Sequence, residues 1–383
     1  MANTSEAQPG SPSVATSPPA AAAETSTAAL PNGPQGSLPV NPPASASVET
    51  SDALEAEDPA TVCDRETDDG ASIDDQISSY TASLASSAVD YPTEFGRRYH
   101  AFRPGAYFLP NDDKEMARLD MSHNLTLEML GHRLYLAPLE KENVHKILDI
   151  GTGTGIWAME MGDLFPNAEV YGNDLSPIQP EWVPPNVKFE IDDVESEWIG
   201  DRKYDFIFCR YMIGSIADYP KLIKNVYDNL NPGGWAEFTD MSGKYYSADG
   251  TLKEEHATFK WNSMLMDTLA STGRDCRPGP QLEGWVREAA NFENVTHKKF
   301  ILPIGPWPKD PHYRELGLGN LAQILEGLDG FSMRVICGLL GWTKVEAEVL
   351  LAEVRKELKT VHKFHAQFDI HSVVAQKPVE ETA

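Results

Sequence analysis

The chain has 383 residues, a formal charge of −26 and four cysteines. So large an excess of acid disfavours nucleic-acid phosphates and anionic lipid as general partners, because both need clustered Lys and Arg, and His297-Lys298-Lys299 is the nearest approach to a cluster. No apolar run reaches the roughly 18 residues of a membrane span, and the N-terminus lacks the charged start and apolar middle of a secretory signal. Cys63, Cys209, Cys276 and Cys337 stand far apart with no C-x-x-C pair, which fits reduced thiols. A soluble cytoplasmic protein is expected, with a nuclear location open.

In chain order, residues 1 to 90 come first, rich in Ala, Ser, Thr and Pro, with Tyr80 their one aromatic and 14 acids against the single base Arg65. They carry too little apolar surface to offset chain entropy, so a disordered tail is expected. Residues 91 to 145 form a lead-in, aromatic and helical in character between Tyr91 and Pro138. Lys146 to Ile150 reads as a short buried strand, Gly155 to Phe165 as a helix, and Ala168 to Tyr171, Val187 to Ile191 and Tyr204 to Cys209 as the next three strands. Alternation of strands with helix-length connections indicates a parallel α/β sheet. A helix over Pro220 to Leu230, closed by an Asn231-Pro-Gly-Gly234 turn, leads to a fifth strand at Trp235 to Asp240, where the core of residues 146 to 240 ends. Within 241 to 383, Leu252 to Thr272 and Gln281 to Asn291 look helical, and Val295 to Ile301 and Phe364 to Ala375 look like strands. Helical material lies between them, and a T-x-x-E capping box at Thr343 and Glu346 opens its last helix.

The first strand runs into DIGTGTGIWAM, Asp149 to Met159. A dinucleotide fold wants G-x-G-x-x-G, whereas Gly151, Gly153 and Gly155 are spaced G-x-G-x-G, with Ile156 in the third glycine's place; no P-loop pattern exists. Asp149 beside this loop would repel a pyrophosphate but favours the ammonium and sulfonium of S-adenosylmethionine. Asp174, after the second strand, stands where a carboxylate accepts from both ribose hydroxyls, a position that would suit NAD as well. After the third strand, Asp193, or second in preference Asp192, can accept from the adenine amine. Thr152 and Leu175, beside these residues, join the candidate cofactor set. Each acid also has a bland reading, as a loop cap, a turn residue or a solvated side chain, but three acids at three successive strand ends are hard to ascribe to chance.

LDIGTGTGIWAME, GNDLSPIQP, FEIDDVESEW and YDFIFCRYMIGSIADYPKLIKNVYDNLNPGGWAEFTD together resemble the class I S-adenosylmethionine-dependent methyltransferases, and within them the LaeA-like fungal branch. The lead-in from Gly96 to Asn124 and LPIGPWPKD near residue 305 carry the same likeness, which spans about Tyr91 to Pro378. The resemblance implies a Rossmann-like, mostly parallel seven-stranded sheet with a helical N-terminal lead-in and an antiparallel edge hairpin. In that sheet Val295 to Ile301 and Phe364 to Ala375 become the last two strands. Residues of about 308 to 360 become a C-terminal helical insertion over the substrate side.

Methyl transfer needs orientation more than a fixed catalytic group. For a phenol, enol or amine acceptor a general base helps, and His123, His100 and Tyr99 are candidates because the lead-in should fold over the cofactor pocket; a bare helix-surface position is the competing reading of His123. Arg210 could meet the methionine carboxylate or a substrate carboxylate, or pair with Asp205 or Asp218. His362 and His365 have H-x-x-H spacing but straddle a helix end without a further ligand, so no metal is expected. Trp157 and Trp235 are read as core or sheet packing. The leading expectation is methylation of a small molecule in fungal secondary metabolism. The alternative, which the resemblance also implies, is a nuclear regulator of secondary-metabolite genes acting through protein partners. An NAD-dependent oxidoreductase would need the missing third glycine.

Overall fold

The computed structural model describes residues 89–360 and 364–379. The tail up to residue 88, Cys63 and His362 lie outside the described residues.

Strand β3 (Lys146–Ile150) is apolar on both faces, with Ile147 packing to one side and Leu148 and Ile150 to the other. Strand β6 (Tyr204–Arg210) repeats the pattern, Phe206 and Phe208 against Ile207 and Cys209. Strands buried on both faces belong in the middle of a parallel sheet covered on each side. They sit there beside β4 (Glu169–Asp174), β5 (Val187–Ile191) and β7 (Leu230–Met241), and the sheet order is β5-β4-β3-β6-β7-β9-β8. The closing hairpin strand β9 (Gln367–Gln376) runs antiparallel to both β7 and β8 (Glu293–Pro303). The seven-stranded, mostly parallel fold and the placing of its last two strands are therefore as expected.

Helix α2 (Ile156–Leu164) covers one face. Helices α3 (Tyr219–Asn229) and α5 (Leu282–Ala289) cover the other. Asp218 caps α3 through the Lys221 amide. A second core is built from α4 (Ala257–Ala270), α6 (Pro311–Met333) and α7 (Lys344–Leu358), packed on the ends of β8 and β9. Helix α6 runs on into a π-helical segment, Arg334–Leu339. Thr343 and Glu346 form the expected capping box of α7.

Two expectations change. The Asn231-Pro-Gly-Gly234 segment is a bulged part of β7 rather than a separate turn: the Asn231 amide donates to Asp205, Gly233 N–H bonds to Lys377 C=O, and the register with β6 breaks between Tyr204 and Phe206. The lead-in holds a single α-helix, α1 (Asp113–Met129), because Pro92, Gly96, Pro104, Gly105 and Pro110 interrupt any earlier one. Residues 91–112 form a strap instead, pinned by the two-residue strands β1 (Thr93–Glu94) and β2 (Arg97–Arg98). Arg97 grips Asp112, the N-cap of α1, with bonds of 2.6 and 2.8 Å.

Candidate functional site

At the carboxyl ends of β3, β4, β5 and β6 lies a cavity of about 150 Å³, the place where an open α/β sheet binds its ligand. Its floor is the glycine loop. Gly151 and Gly155 hold φ of +67° and +80°, and a Cβ would meet Met212 Sδ at 2.5 Å and the Phe189 ring at 2.4 Å, so only glycine keeps the loop low over the strand ends. Asp149, Thr152, Gly153, Asp174, Leu175, Asp192, Asp193 and Arg210, all expected from sequence, line the cavity; Gly155 instead closes the loop as the left-handed N-cap of α2.

The acids do more than face the cavity. Asp149 accepts from Thr152 Oγ1 at 2.6 Å. Asp174 receives the Gly153 amide on one oxygen and the Ser176 amide on the other, so it shapes the loop it stands beside. Asp193 is engaged on both oxygens, by the Glu195 amide and by Arg103 at 3.5 Å, while the exposed Asp192 accepts only the Asp193 amide.

The strap roofs this cavity. Asn111 donates to Ser176 Oγ, Arg103 reaches Ser196 and Asp193, and Tyr107 and Pro110 line the wall. His123 is not on a helix surface: it is 2% exposed on the inner side of α1. Its Nδ1 accepts from Arg210 Nη2 at 3.0 Å, which leaves the proton on Nε2 to be donated to Glu160 at 3.0 Å. Both ring nitrogens are thereby committed, and no lone pair remains for a base. Arg210 pairs with neither Asp205, which holds the amides of His145 and Lys146, nor Asp218. Its Nη1 is buried without a partner. His100 and Tyr99 line no part of the cavity: the Tyr99 ring lies under the Arg334 guanidinium, and His100 Nε2 bonds to Arg103 C=O. Both are buried within the strap, Tyr99 against Arg334 of the π-helical segment. Glu160, Ser122 and Asn111 carry no sequence signal that marks them for the site.

A second chamber, about 170 Å³, adjoins the first and shares Tyr107, Leu119, Ser122 and Tyr211 with it. Its walls are largely apolar, from the strap, α1, α4 and α6. Tyr211, at the boundary, has φ of +57°, a costly conformation for a non-glycine residue. Its hydroxyl is 2.8 Å from Thr126 Oγ1, which itself donates to Ser122 C=O. His365 is engaged by Asp249 at 2.6 Å and stacked on Trp307. His371 pairs with His297. Trp157 stacks on Phe208, as its packing role requires. Among the described residues no helix is long and apolar enough to cross a membrane, and Cys209, Cys276 and Cys337 are free thiols.

Burial raises four carboxyls beneath these cavities, Asp149, Glu237 and Asp240 to about 7 and Asp174 to about 6. In the unfolded chain they titrate near about 4. The native state thus holds protons that the unfolded state has lost, a stabilisation complete below the unfolded value and lost as pH rises through the folded ones. His100, His123 and His371, lowered chiefly by burial, act oppositely, but only below their unfolded value of about 6.5. The melting temperature of the unliganded protein should therefore fall as pH is raised from about 6.5 to about 8. A flat or rising profile by scanning calorimetry would mean that these carboxyls ionise at ordinary values.

A family model described as a methyltransferase domain matches residues 90–297. The methyltransferase pytC of Aspergillus terreus is 46% identical over 297 residues, covering 77% of this chain and 91% of that protein. A secondary metabolism regulator of Cochliobolus heterostrophus, LAE1, is 34% identical over 293 residues, covering 74% and 94%. A protein-methionine methyltransferase of Emericella nidulans, laeA, is 32% identical over 291 residues, covering 75% and 76%.

Proposed function

Because this chain belongs to the fungal class I S-adenosylmethionine-dependent methyltransferases, we propose that it methylates a small secondary metabolite held in the second chamber. One observation carries the reading: an apolar chamber opens directly on the cavity of the glycine loop, the two sharing Tyr107, Leu119, Ser122 and Tyr211. When bound, the cofactor supplies a methyl carbon already activated by its sulfonium, so the protein's part is orientation and exclusion of water.

The cavity's residues suit that cofactor. Asp149 offers its carboxylate to the ammonium, and Asp174 uses its remaining lone pairs for the ribose hydroxyls. Asp192 and Asp193 both line the cavity for the adenine amine; Asp192, with only the Asp193 amide on one oxygen, keeps more free lone pairs than Asp193, which already holds the Glu195 amide and Arg103. The orphaned Nη1 of Arg210 suits the methionine carboxylate, and His123, backed by Glu160, is a positioning residue that fixes the guanidinium. Calorimetry with S-adenosylmethionine, S-adenosylhomocysteine and NAD tests the assignment; binding of the first two and not the third is expected. Tight NAD binding without a response to S-adenosylhomocysteine overturns it.

The regulatory reading has its own observation in the structure, a strip of exposed apolar residues, Leu339, Leu340, Trp342, Val345 and Val349, at the junction of α6 and α7, where a protein partner could bind. Product analysis in a strain lacking the gene separates the two: loss of one methyl group marks an enzyme of biosynthesis, broad loss of many compounds a regulator.

A further inference from the structure

We propose that the methyl acceptor is an acidic enol or phenol that enters the second chamber already ionised, its delocalised charge held by Arg118 and the hydroxyls of Tyr107 and Tyr245. This rests on the methyl-transfer reading of the same site and names the class of molecule that site takes.

The first ground is what the chamber lacks. Among the described residues its walls contain no Asp, Glu, His, Lys or Cys, and Arg118 is their one charged side chain. An amine or alcohol that loses a proton during methylation is helped by a base within hydrogen-bond reach. Across the boundary, His123 has both ring nitrogens committed, and Asp149 belongs to the glycine loop on the cofactor side. Neither His100 nor Tyr99 lines the chamber.

The second ground is what the chamber offers. A guanidinium has five N–H donors. Arg118 spends two on Glu115 Oε1 and one on Gln323 Oε1, which leaves two. The hydroxyls of Tyr107 and Tyr245 make no hydrogen bond within the protein, and burial raises both phenols, so they stay protonated and donate. Since Glu115 already balances the charge of Arg118, this donor set suits a diffuse anion spread over a ring or dicarbonyl better than a compact carboxylate. The walls around it, including Trp261, Phe331 and Phe368, are aromatic. Arg118 stands one turn of α1, about 5.4 Å, before Ser122 at the shared boundary, so it holds the distal oxygen of a conjugated system whose other end faces the cofactor.

The transfer then balances without a proton. The acceptor's oxygen, or its conjugate carbon, gives an electron pair to the methyl carbon. The carbon–sulfur bond breaks and its pair stays on sulfur, so a sulfonium and an anion become a neutral thioether and a neutral methylated product.

Calorimetry on the full chain saturated with S-adenosylhomocysteine tests this with three coumarins of similar shape: 4-hydroxycoumarin, an enol ionised at neutral pH, 4-aminocoumarin and coumarin-4-carboxylate. The enol should bind at least about tenfold more tightly than either of the others. Tyr245→Phe, which removes a hydroxyl no protein group uses, should weaken enol binding by about tenfold and leave S-adenosylhomocysteine affinity unchanged. Arg118→Gln should do the same where it folds. Equal or tighter binding of the amine, an unaffected Tyr245→Phe, or binding of none of the three to a chain that does bind S-adenosylhomocysteine overturns the inference. A chain that fails to bind S-adenosylhomocysteine overturns the methyl-transfer reading instead.

Discussion

Trp157→Ala should lower the free energy of unfolding by about 3–5 kcal/mol and leave the surviving folded protein able to bind cofactor. Trp157 borders the first cavity, so a stacking role against the cofactor is the natural rival. Its packing argues otherwise: it is 2% exposed, and its ring lies on Phe208 at 4.1 Å between centroids and 5° between planes. Its indole N–H donates to Leu134 C=O, tying the chain after α1 to α2. Truncation removes the stack, opens a cavity between α2 and β6 and leaves that carbonyl without its donor. Equilibrium denaturation measures the loss. A variant with an unchanged midpoint and weakened S-adenosylhomocysteine binding would place the ring on the ligand instead.

The contrast shows which parts of the fold the chain displays locally. Ile147, Leu148 and Ile150 surround Asp149 in β3, and a short apolar run next to glycines announces a strand buried on both faces and a ligand loop within a dozen positions. Asp149, Asp174 and the Asp192-Asp193 pair, of which the sequence favours Asp193, can be singled out for the same reason: each lies at or just past the carboxyl end of a strand whose pattern is visible. What stayed hidden is held by contacts distant in sequence. His123 can be named from sequence as a candidate base, but not its partners Glu160 and Arg210, 37 and 87 residues away, which commit both of its ring nitrogens. Glu237, in the fifth strand of the expected core, carries no mark in the sequence of its role: it is fully buried and accepts the amides of Leu136 and Ala137, about a hundred residues away. The strap misled because aromatic side chains suggest a packed element without saying which; its prolines and glycines decide against a helix.

Asp174→Ala should weaken S-adenosylhomocysteine binding at least tenfold. Each charge-assisted hydrogen bond from a ribose hydroxyl is worth about 1.5–3 kcal/mol, and about 1.4 kcal/mol is a factor of ten. The carboxylate also holds the Gly153 and Ser176 amides, so its loss frees the glycine loop as well as the ribose. The global fold should survive, because Asp174 closes β4 at the cavity and does not pack in the core. A second signature comes from pH. Burial raises Asp174 to about 6 and Asp149 to about 7, and both must be ionised to serve the ligand. Affinity in the unaltered protein should therefore drop as pH is lowered from about 7.5 to about 5.5, through protonation of the two carboxyls. In Asp174→Ala the affinity starts lower and the drop is shallower, with only Asp149 left to titrate. Calorimetry at both pH values separates the outcomes: a variant with unchanged affinity at the higher pH would take the ribose away from Asp174, and an unchanged slope would take the titration away from it.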